Sequence, residues 1–163
     1  MIKVVPTEDQ IKRAKELFEF KALNNSITKG DGNIAGALGE VIVCDHYKAT
    51  HQNTYDYDLI IQSKDGEPFS VDVKTKRISP NITPQPNWFA SVAAYNIKQI
   101  CDYYCFVGLA TDFSMAYIYG FIQKDNFYKQ SYFGKKGELD PYGNGTWTFR
   151  ADCYNLFIKD LLL

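Results

Sequence analysis

The segment YDYDLIIQSKDGEPFSVDVKTK, residues 55–76, constrains the fold of this chain more than any other part of it. Two runs within it, Tyr57–Gln62 and Pro68–Lys76, alternate as β-strands do, and Lys64-Asp65-Gly66 connects them. Because successive side chains of a strand point to opposite faces, the second run predicts two different faces. One face would carry Phe69, Val71, Val73 and Thr75, and the other Ser70, Asp72, Lys74 and Lys76. The pattern predicts a β-hairpin with an apolar face and a polar face.

The length of the connecting loop decides which side chains face each other in this hairpin. A two-residue Asp-Gly turn would place Leu59 opposite Asp72, so a carboxylate would share a face with the apolar residues of the first strand. A three-residue loop, Lys64-Asp65-Gly66, with its glycine in a left-handed conformation, would place Asp58 opposite Asp72. Only the second register keeps one face fully apolar, and we therefore predict it.

The predicted register brings two carboxylates together. Opposed residues of an antiparallel pair lie about 4.5–5.5 Å apart at their Cβ atoms, so Asp58 and Asp72 would repel each other. A divalent cation would remove this repulsion, and carboxylate oxygens at that spacing suit Mg²⁺ or Mn²⁺. Lys74, on the same face, could orient or deprotonate a water and stabilise charge on a phosphate. The alternative is a solvated strand face without a chemical role.

The remaining sequence predicts an α/β fold with a mixed sheet flanked by helices. Helices are predicted at about 7–24, where Thr7 and Gln10 have capping-box spacing, and at about 33–47, where Gly36 and Gly39 suggest a close backbone approach. Further strands are predicted at 88–92, 103–110 and 115–122, a short helix at about 95–102, a short helix with loops over 125–146, and a strand followed by a strand or helix over 147–163. We predict one domain over residues 1–163, with a core at about 33–122, a helical N-terminal extension at 7–24 and a C-terminal elaboration at 123–163.

Composition narrows the classes of protein that the chain can belong to. With 45% hydrophobic and 15% aromatic residues, it should form a packed core. A net charge of −1 means that nucleic-acid binding would need a local basic patch. No run approaches the roughly 18 apolar residues of a membrane span, and the charged start lacks a signal-peptide core. We expect a cytoplasmic protein without a membrane partner, and reduced cysteines.

Three stretches together resemble the PD-(D/E)XK nuclease superfamily over about residues 33–110: Gly36-Ala37-Leu38-Gly39-Glu40, Asp58-Leu59-Ile60-Ile61 and Asp72-Val73-Lys74. The superfamily pattern is a helix glutamate, an aspartate at the head of a strand, and (D/E)xK on the paired strand. Tyr57 stands where the pattern has proline. The resemblance implies a restriction-endonuclease-like α-β-β-β-α-β core, Mg²⁺ or Mn²⁺ as cofactor, and hydrolysis of phosphodiester bonds in DNA. A single small domain without an obvious clamp slightly favours endonuclease action over exonuclease action.

The resemblance also implies a role for each matching residue. Asp58, Asp72 and the main-chain carbonyl of Val73 would bind the metal, Glu40 would join them directly or through water, and Lys74 would position the attacking water. Asp56 is a rival to Asp58. Gln99, on the predicted helix after the sheet, resembles a polar residue that some members place near the water or the phosphate, and the alternative is a position on the helix surface. The candidate nucleic-acid-binding residues are Lys76, Arg77, Trp88, Lys98, Lys135 and Lys136.

Other functions and partners stay open at this point. A non-catalytic nucleic-acid-binding module could retain the same fold, and a zinc hydrolase could use Cys44 and His46. Many members of the superfamily are dimers, which leaves a homodimer as a possible partner. Two aromatic and basic stretches could stack unpaired bases or belong to the core: Trp88, Phe89 and Tyr95, and then Tyr117, Tyr119, Tyr128, Tyr132 and Phe133 with Lys135 and Lys136.

Overall fold

The computed structural model of the chain describes residues 1–23, 34–52, 54–63, 65–142 and 147–163, without the side chains of residues 20–23. Its helices are α1 (Glu8–Leu23), α2 (Ile34–Tyr47) and α3 (Lys124–Gln130), with 3₁₀ helices at Ala94–Lys98 and Ile158–Asp160. Its strands are β1 (Ile2–Val4), β2 (Thr50–His51), β3 (Leu59–Gln62), β4 (Pro68–Ile78), β5 (Phe89–Ala93), β6 (Tyr103–Ala110), β7 (Ala116–Gln123), β8 (Tyr132–Gly134) and β9 (Cys153–Phe157).

The strands form a six-stranded mixed sheet, in the order β1-β7-β6-β4-β3-β2, and a three-stranded sheet, in the order β5-β9-β8. In the six-stranded sheet β4 and β6 are parallel, and the other neighbouring strands are antiparallel. The predicted α/β class with a mixed sheet and flanking helices is confirmed. Among the described residues, no helix is both long and apolar enough to cross a membrane.

Two apolar clusters cover the two faces of the six-stranded sheet. On one face, α1 and α2 pack against side chains such as Leu59, Val71 and Val107. On the other face, Tyr104 and Phe106 of β6 pack with the small sheet and α3. Alternation along β4 therefore directs Val71, Val73 and Thr75 toward α2, and directs Asp72, Lys74 and Lys76 toward the small sheet.

The hairpin of β3 and β4 has the predicted register. Leu59 pairs with Val71 and Ile61 with Phe69, so the position of Asp58 in this register is opposite Asp72. The N–H of Gly66 donates to the carbonyl of Ser63 (3.0 Å), and Gly66 has a φ of +90°. The glycine-closed loop is thus confirmed at Gly66, while its first residue, Lys64, lies outside the described residues.

The two glycines of α2 differ. A Cβ on Gly39 would lie 2.0 Å from Oγ1 of Thr75, whereas a Cβ on Gly36 would meet no described residue within 4 Å. The predicted close backbone approach is therefore real at Gly39, where the helix packs directly on β4.

The capping box of α1 is present, because Gln10 N–H donates to Thr7 Oγ1 (3.1 Å) and Thr7 N–H to Gln10 Oε1 (3.0 Å).

Several predicted elements differ from the structure. The predicted helix at 95–102 is a 3₁₀ helix that ends at Lys98, and Gln99 follows it with extended backbone (φ −61°, ψ 145°). The predicted strand at 88–92 is β5, which belongs to the small sheet instead of the expected α-β-β-β-α-β core. Strands β1, β2 and β8 were not predicted, because two or three residues are too few to show a periodic pattern. The predicted end of the first helix at about residue 24 and the predicted start of the second at about residue 33 lie outside the described residues.

Candidate active site

Asp72 lies at the centre of the polar face of β4 and is only 4% exposed. Lys74 Nζ lies 2.6 Å from Asp72 Oδ2, and Gln99 Nε2 donates to Asp72 Oδ1 (3.1 Å). Lys74 Nζ also donates to Gln99 Oε1 (3.0 Å). The three side chains form a closed triangle in which each one contacts the other two. Apart from the ion pair, Asp72 Oδ2 accepts no hydrogen bond from a described residue.

Asp58 precedes β3 and lies at the edge of β4. Its Oδ2 accepts a hydrogen bond from the N–H of Val73 (2.8 Å), and its own N–H donates to the carbonyl of Val71 (3.0 Å). The N–H and C=O of one residue in an antiparallel ladder point to the same side. The carbonyl of Val73 therefore points toward the side on which Asp58 lies, as a metal site on Asp58, Asp72 and Val73 requires.

Glu40 approaches from α2. It is 7% exposed, and its Oε2 lies 3.0 Å from Nε2 of His51 on β2. Its negative charge acts on Asp72, where it contributes to raising the pKa. Glu40 and Asp72 are therefore close enough to interact electrostatically, although α2 covers the face of β4 opposite to the one that carries Asp72.

Burial dominates the electrostatics of Asp72. Desolvation raises the pKa of this carboxyl above its ordinary value, and the charge of Glu40 adds to the effect. The charge and hydrogen bond of Lys74 and the hydrogen bond of Gln99 act in the opposite direction but do not cancel it. A buried carboxyl of this kind gains from a further positive charge, because its ionised form is poorly solvated.

Gln99 is a buried organising residue, and the prediction that it lies on a helix is wrong. Its side chain is 8% exposed, and its Nε2 also approaches the carbonyl of Tyr55 (3.2 Å). The main chain is held extended here because Asp56 Oδ1 accepts from the N–H of Ile100 (3.0 Å) and Lys124 Nζ donates to the Gln99 carbonyl. Asp56 thus anchors the segment that carries Gln99, and Asp58 is the aspartate beside Val73.

The sequence did not indicate three of the residues around this site. His51 pairs with Glu40, Lys124 holds the main chain of Gln99, and the buried ring of Tyr104 lies under Lys74, with Nζ 5.7 Å from the ring centre. His51 was visible as one of only two histidines. Its contact with Glu40 depends on β2, a strand of two residues that no sequence pattern marks.

The predicted nucleic-acid-binding residues do not form one surface. Lys76 shares the face of Lys74, whereas alternation places Arg77 on the opposite face. Trp88 is half-buried against the core between the two sheets, and Tyr117 and Tyr119 are buried there. Lys98, at the end of the 3₁₀ helix, and Lys135 and Lys136, after β8, are exposed, as are Lys76 and Arg77.

The alternative zinc site gains no support from the contacts of its two residues. The thiol of Cys44 donates to the carbonyl of Ala49 (3.2 Å), and burial raises its pKa. The ring of His46 packs edge-on against Tyr47. In the described part of the chain, no three His, Cys, Asp or Glu side chains form a group that could hold a metal ion. All four cysteines are free.

Comparison of the sequence with known protein families and with curated proteins found no match.

Proposed function

We propose that this protein hydrolyses phosphodiester bonds in DNA with a metal-activated water, at a centre formed by Asp58, Asp72 and Lys74. The observation that carries the proposal is the arrangement around Val73. Asp58 binds the N–H of Val73, while the neighbouring Asp72 and Lys74 meet each other and Gln99 in a buried triangle. Two carboxylates and an ammonium group thus converge on one stretch of strand.

The donor set fits Mg²⁺ or Mn²⁺. Mg²⁺ is commonly held by one or two carboxylates, with water and substrate phosphate completing its shell, so a group of three protein carboxylates is not required. Asp58, Asp72 and the Val73 carbonyl supply oxygen donors, and Asp72 Oδ2 has only Lys74 as a partner among the described residues. Glu40 would contribute directly or through water. The metal would supply Lewis-acid polarisation of the phosphate and would lower the pKa of a bound water.

The side chains around the carboxylates have complementary roles in this proposal. Lys74 brings a positive charge to the place where a phosphate gains negative charge during hydrolysis, and such charge stabilisation is commonly a large catalytic effect. Gln99 fixes the ammonium group through its Oε1 and the carboxylate through its Nε2. His51 fixes Glu40. We also propose that the core belongs to the restriction-endonuclease-like fold, since α2, β3, β4 and β6 follow the order of its matching elements, although β5 pairs in the small sheet.

A cleavage assay tests this function. Labelled linear, circular, single-stranded and branched DNA would be incubated with Mg²⁺ or Mn²⁺, or with EDTA, using the wild type and Lys74→Ala. We expect metal-dependent cutting that Lys74→Ala reduces by at least about 100-fold, with cutting of the circle identifying endonuclease action. Lys15→Ala, which alters an exposed lysine on α1, is the matched control. Absence of cutting of every substrate by the wild type would refute the hydrolase, and undiminished cutting by Lys74→Ala would refute the site.

One observation favours a second candidate, a nucleic-acid-binding module without catalysis. The direct contact between Lys74 and Asp72 could serve only as a buried structural ion pair. The same experiment separates the two functions, because such a module would bind DNA in Mg²⁺ without cutting it.

A further inference from the structure

A cavity of about 390 Å³ lies between the two sheets and begins beside Lys74. This volume is in the range of small-molecule sites, roughly 300–1,000 Å³. Residues of β5 complete a lining that includes Lys74 and Lys76 of β4, Tyr119 of β7, Cys153 of β9, and Trp147 and Arg150 from the segment before β9. The cavity is continuous with the candidate active site through Lys74.

The charged side chains that line the cavity are all positive. Three of its lining residues, Lys74, Lys76 and Arg150, are cationic, and no Asp or Glu of the described residues lines it. Neither Lys76 nor Arg150 forms an ion pair with a described residue. Lys76 is exposed, yet desolvation lowers its pKa, against the opposing effect of Asp140. Because Lys76 and Arg150 form no ion pair with a described residue, they favour an anionic ligand.

Among the aromatic residues that line the cavity, Trp147 is the one with an exposed side chain. It is 45% exposed and makes a T-shaped contact with Phe149, with the ring centres 5.0 Å apart. Phe89 also lines the cavity, but its ring is stacked on Phe157 (4.8 Å) and packs against Tyr132 (5.4 Å). Most of the remaining lining is apolar, which suits the flat face of a nucleobase.

We infer that this cavity binds an unpaired nucleotide of a single DNA strand, with its base against Trp147 and its phosphates near Lys76 and Arg150. An exposed aromatic beside unpaired cations is the arrangement by which proteins hold single strands without reading sequence. A paired base is stacked within its duplex and would have to leave the helix to enter a cavity between two sheets. The inference rests on the proposed function only because it takes DNA as the substrate. It adds that the protein prefers single-stranded segments of DNA.

Binding in EDTA tests the inference independently of hydrolysis. In a Trp88→Phe background Trp147 is the only tryptophan, so its fluorescence can be titrated with a short oligothymidylate and with a blunt duplex of equal length. We expect quenching by the single strand and at least tenfold weaker binding of the duplex. With a labelled oligonucleotide, Trp147→Ala should weaken single-strand binding by about 5- to 150-fold, the range for one stacked base, whereas Trp147→Phe should retain most of it.

The salt dependence of binding tests the cationic residues. Arg150→Gln should reduce the slope of log K against log salt by about 0.7, the value for one phosphate contact on a single strand. Lys15→Gln, which removes a charge on α1 across the sheet, should leave the slope unchanged. Thermal unfolding of each variant would show that the effects on binding are not effects on folding.

Two outcomes distinguish the inference from the proposed hydrolase. Equal binding of single strand and duplex, together with no effect of Trp147→Ala on either, would overturn the cavity assignment even if the protein cuts DNA. Single-strand binding that depends on Trp147, in a protein that cuts no DNA with any metal, would support the cavity and refute the hydrolase.

Discussion

The two faces of β4 are both covered by other elements, but different forces hold them together. The face with Val71, Val73 and Thr75 packs against α2 and contains almost only apolar groups. The face with Asp72 and Lys74 is also shielded from water, and there charged groups satisfy one another through Gln99. The comparison teaches that one strand can combine a face built for stability with a face that retains poorly solvated charge.

The largest expected effect is on the polar face, from Asp72→Asn. Replacement of the carboxylate by an amide should lower the proposed DNA cleavage by at least about 100-fold, because the negative charge and one of the two oxygen donors are lost. Stability in EDTA should rise at pH 7, because burial raises the pKa of Asp72 and the ionised form is therefore disfavoured in the folded state. The contribution of such a group to stability is complete at low pH and is lost as pH rises through the folded-state pKa.

Denaturant unfolding of wild type and Asp72→Asn at several pH values measures the difference in stability between the two proteins. The gap in stability between the two proteins should widen from acid toward neutral pH. If the variant is less stable than the wild type at pH 7, the ion pair with Lys74 outweighs burial, and the two faces of β4 do not differ as described.

On the apolar face, α2 supplies a matched pair of substitutions. Gly39→Ala should destabilise the protein by about 1–3 kcal/mol, since the added methyl meets Thr75 directly. Gly36→Ala, where a Cβ meets no atom of the described residues within 4 Å, should stabilise it by about 0.5–1 kcal/mol through helix propensity. Chemical denaturation measures both. If Thr75→Ala reduces the destabilisation caused by Gly39→Ala in a double-mutant cycle, the close contact between these two residues causes that destabilisation. Equal effects of the two glycine substitutions would show that α2 does not pack tightly on β4 at Gly39.

A smaller effect is expected at Gly66, which sets the register and hence the contents of both faces. Gly66→Ala should cost about 1–2 kcal/mol, because a Cβ is strained in the left-handed conformation. Gly66→Asn should cost less, as asparagine tolerates this conformation better. Thermal unfolding of the two variants gives the comparison, and an unchanged stability of Gly66→Ala would mean that the loop does not depend on a positive φ.

The smallest effect concerns the exposed ion pair between the two helices on the apolar side. Arg13 bonds Asp45 and, together with Gln10, holds the pKa of that carboxyl below its ordinary value. This contribution is present above the unfolded-state pKa and is lost as pH falls through the folded-state pKa. Arg13→Ala should therefore cost about 0.2–1 kcal/mol at pH 7 and less at acid pH. A cost that grows with acid would contradict the assignment.

The sequence was sufficient where neighbours along the chain decide the structure. The register of β3 and β4 followed from the loop ending at Gly66 and the apolar pattern, and it led to Asp58 and Asp72. It was insufficient where distant segments meet. The place of β5 in a second sheet, the extended backbone at Gln99, and the contact of His51 with Glu40 all depend on tertiary contacts that leave no local pattern.

The parallel pairing of β4 with β6 has a consequence for the order of folding. The β3–β4 hairpin closes through a loop of three residues, whereas β6 joins β4 from about 30 residues further along the chain, with Tyr104 beside Asp72. Short loops close faster than long ones, and parallel pairing is intrinsically slow. The two aspartates should therefore approach each other early, and Gln99, which leads into β6, should reach Lys74 late. The folding chain would thus expose the paired carboxylates and Lys74 on one hairpin before Gln99 arrives to hold Lys74 and Asp72 in place.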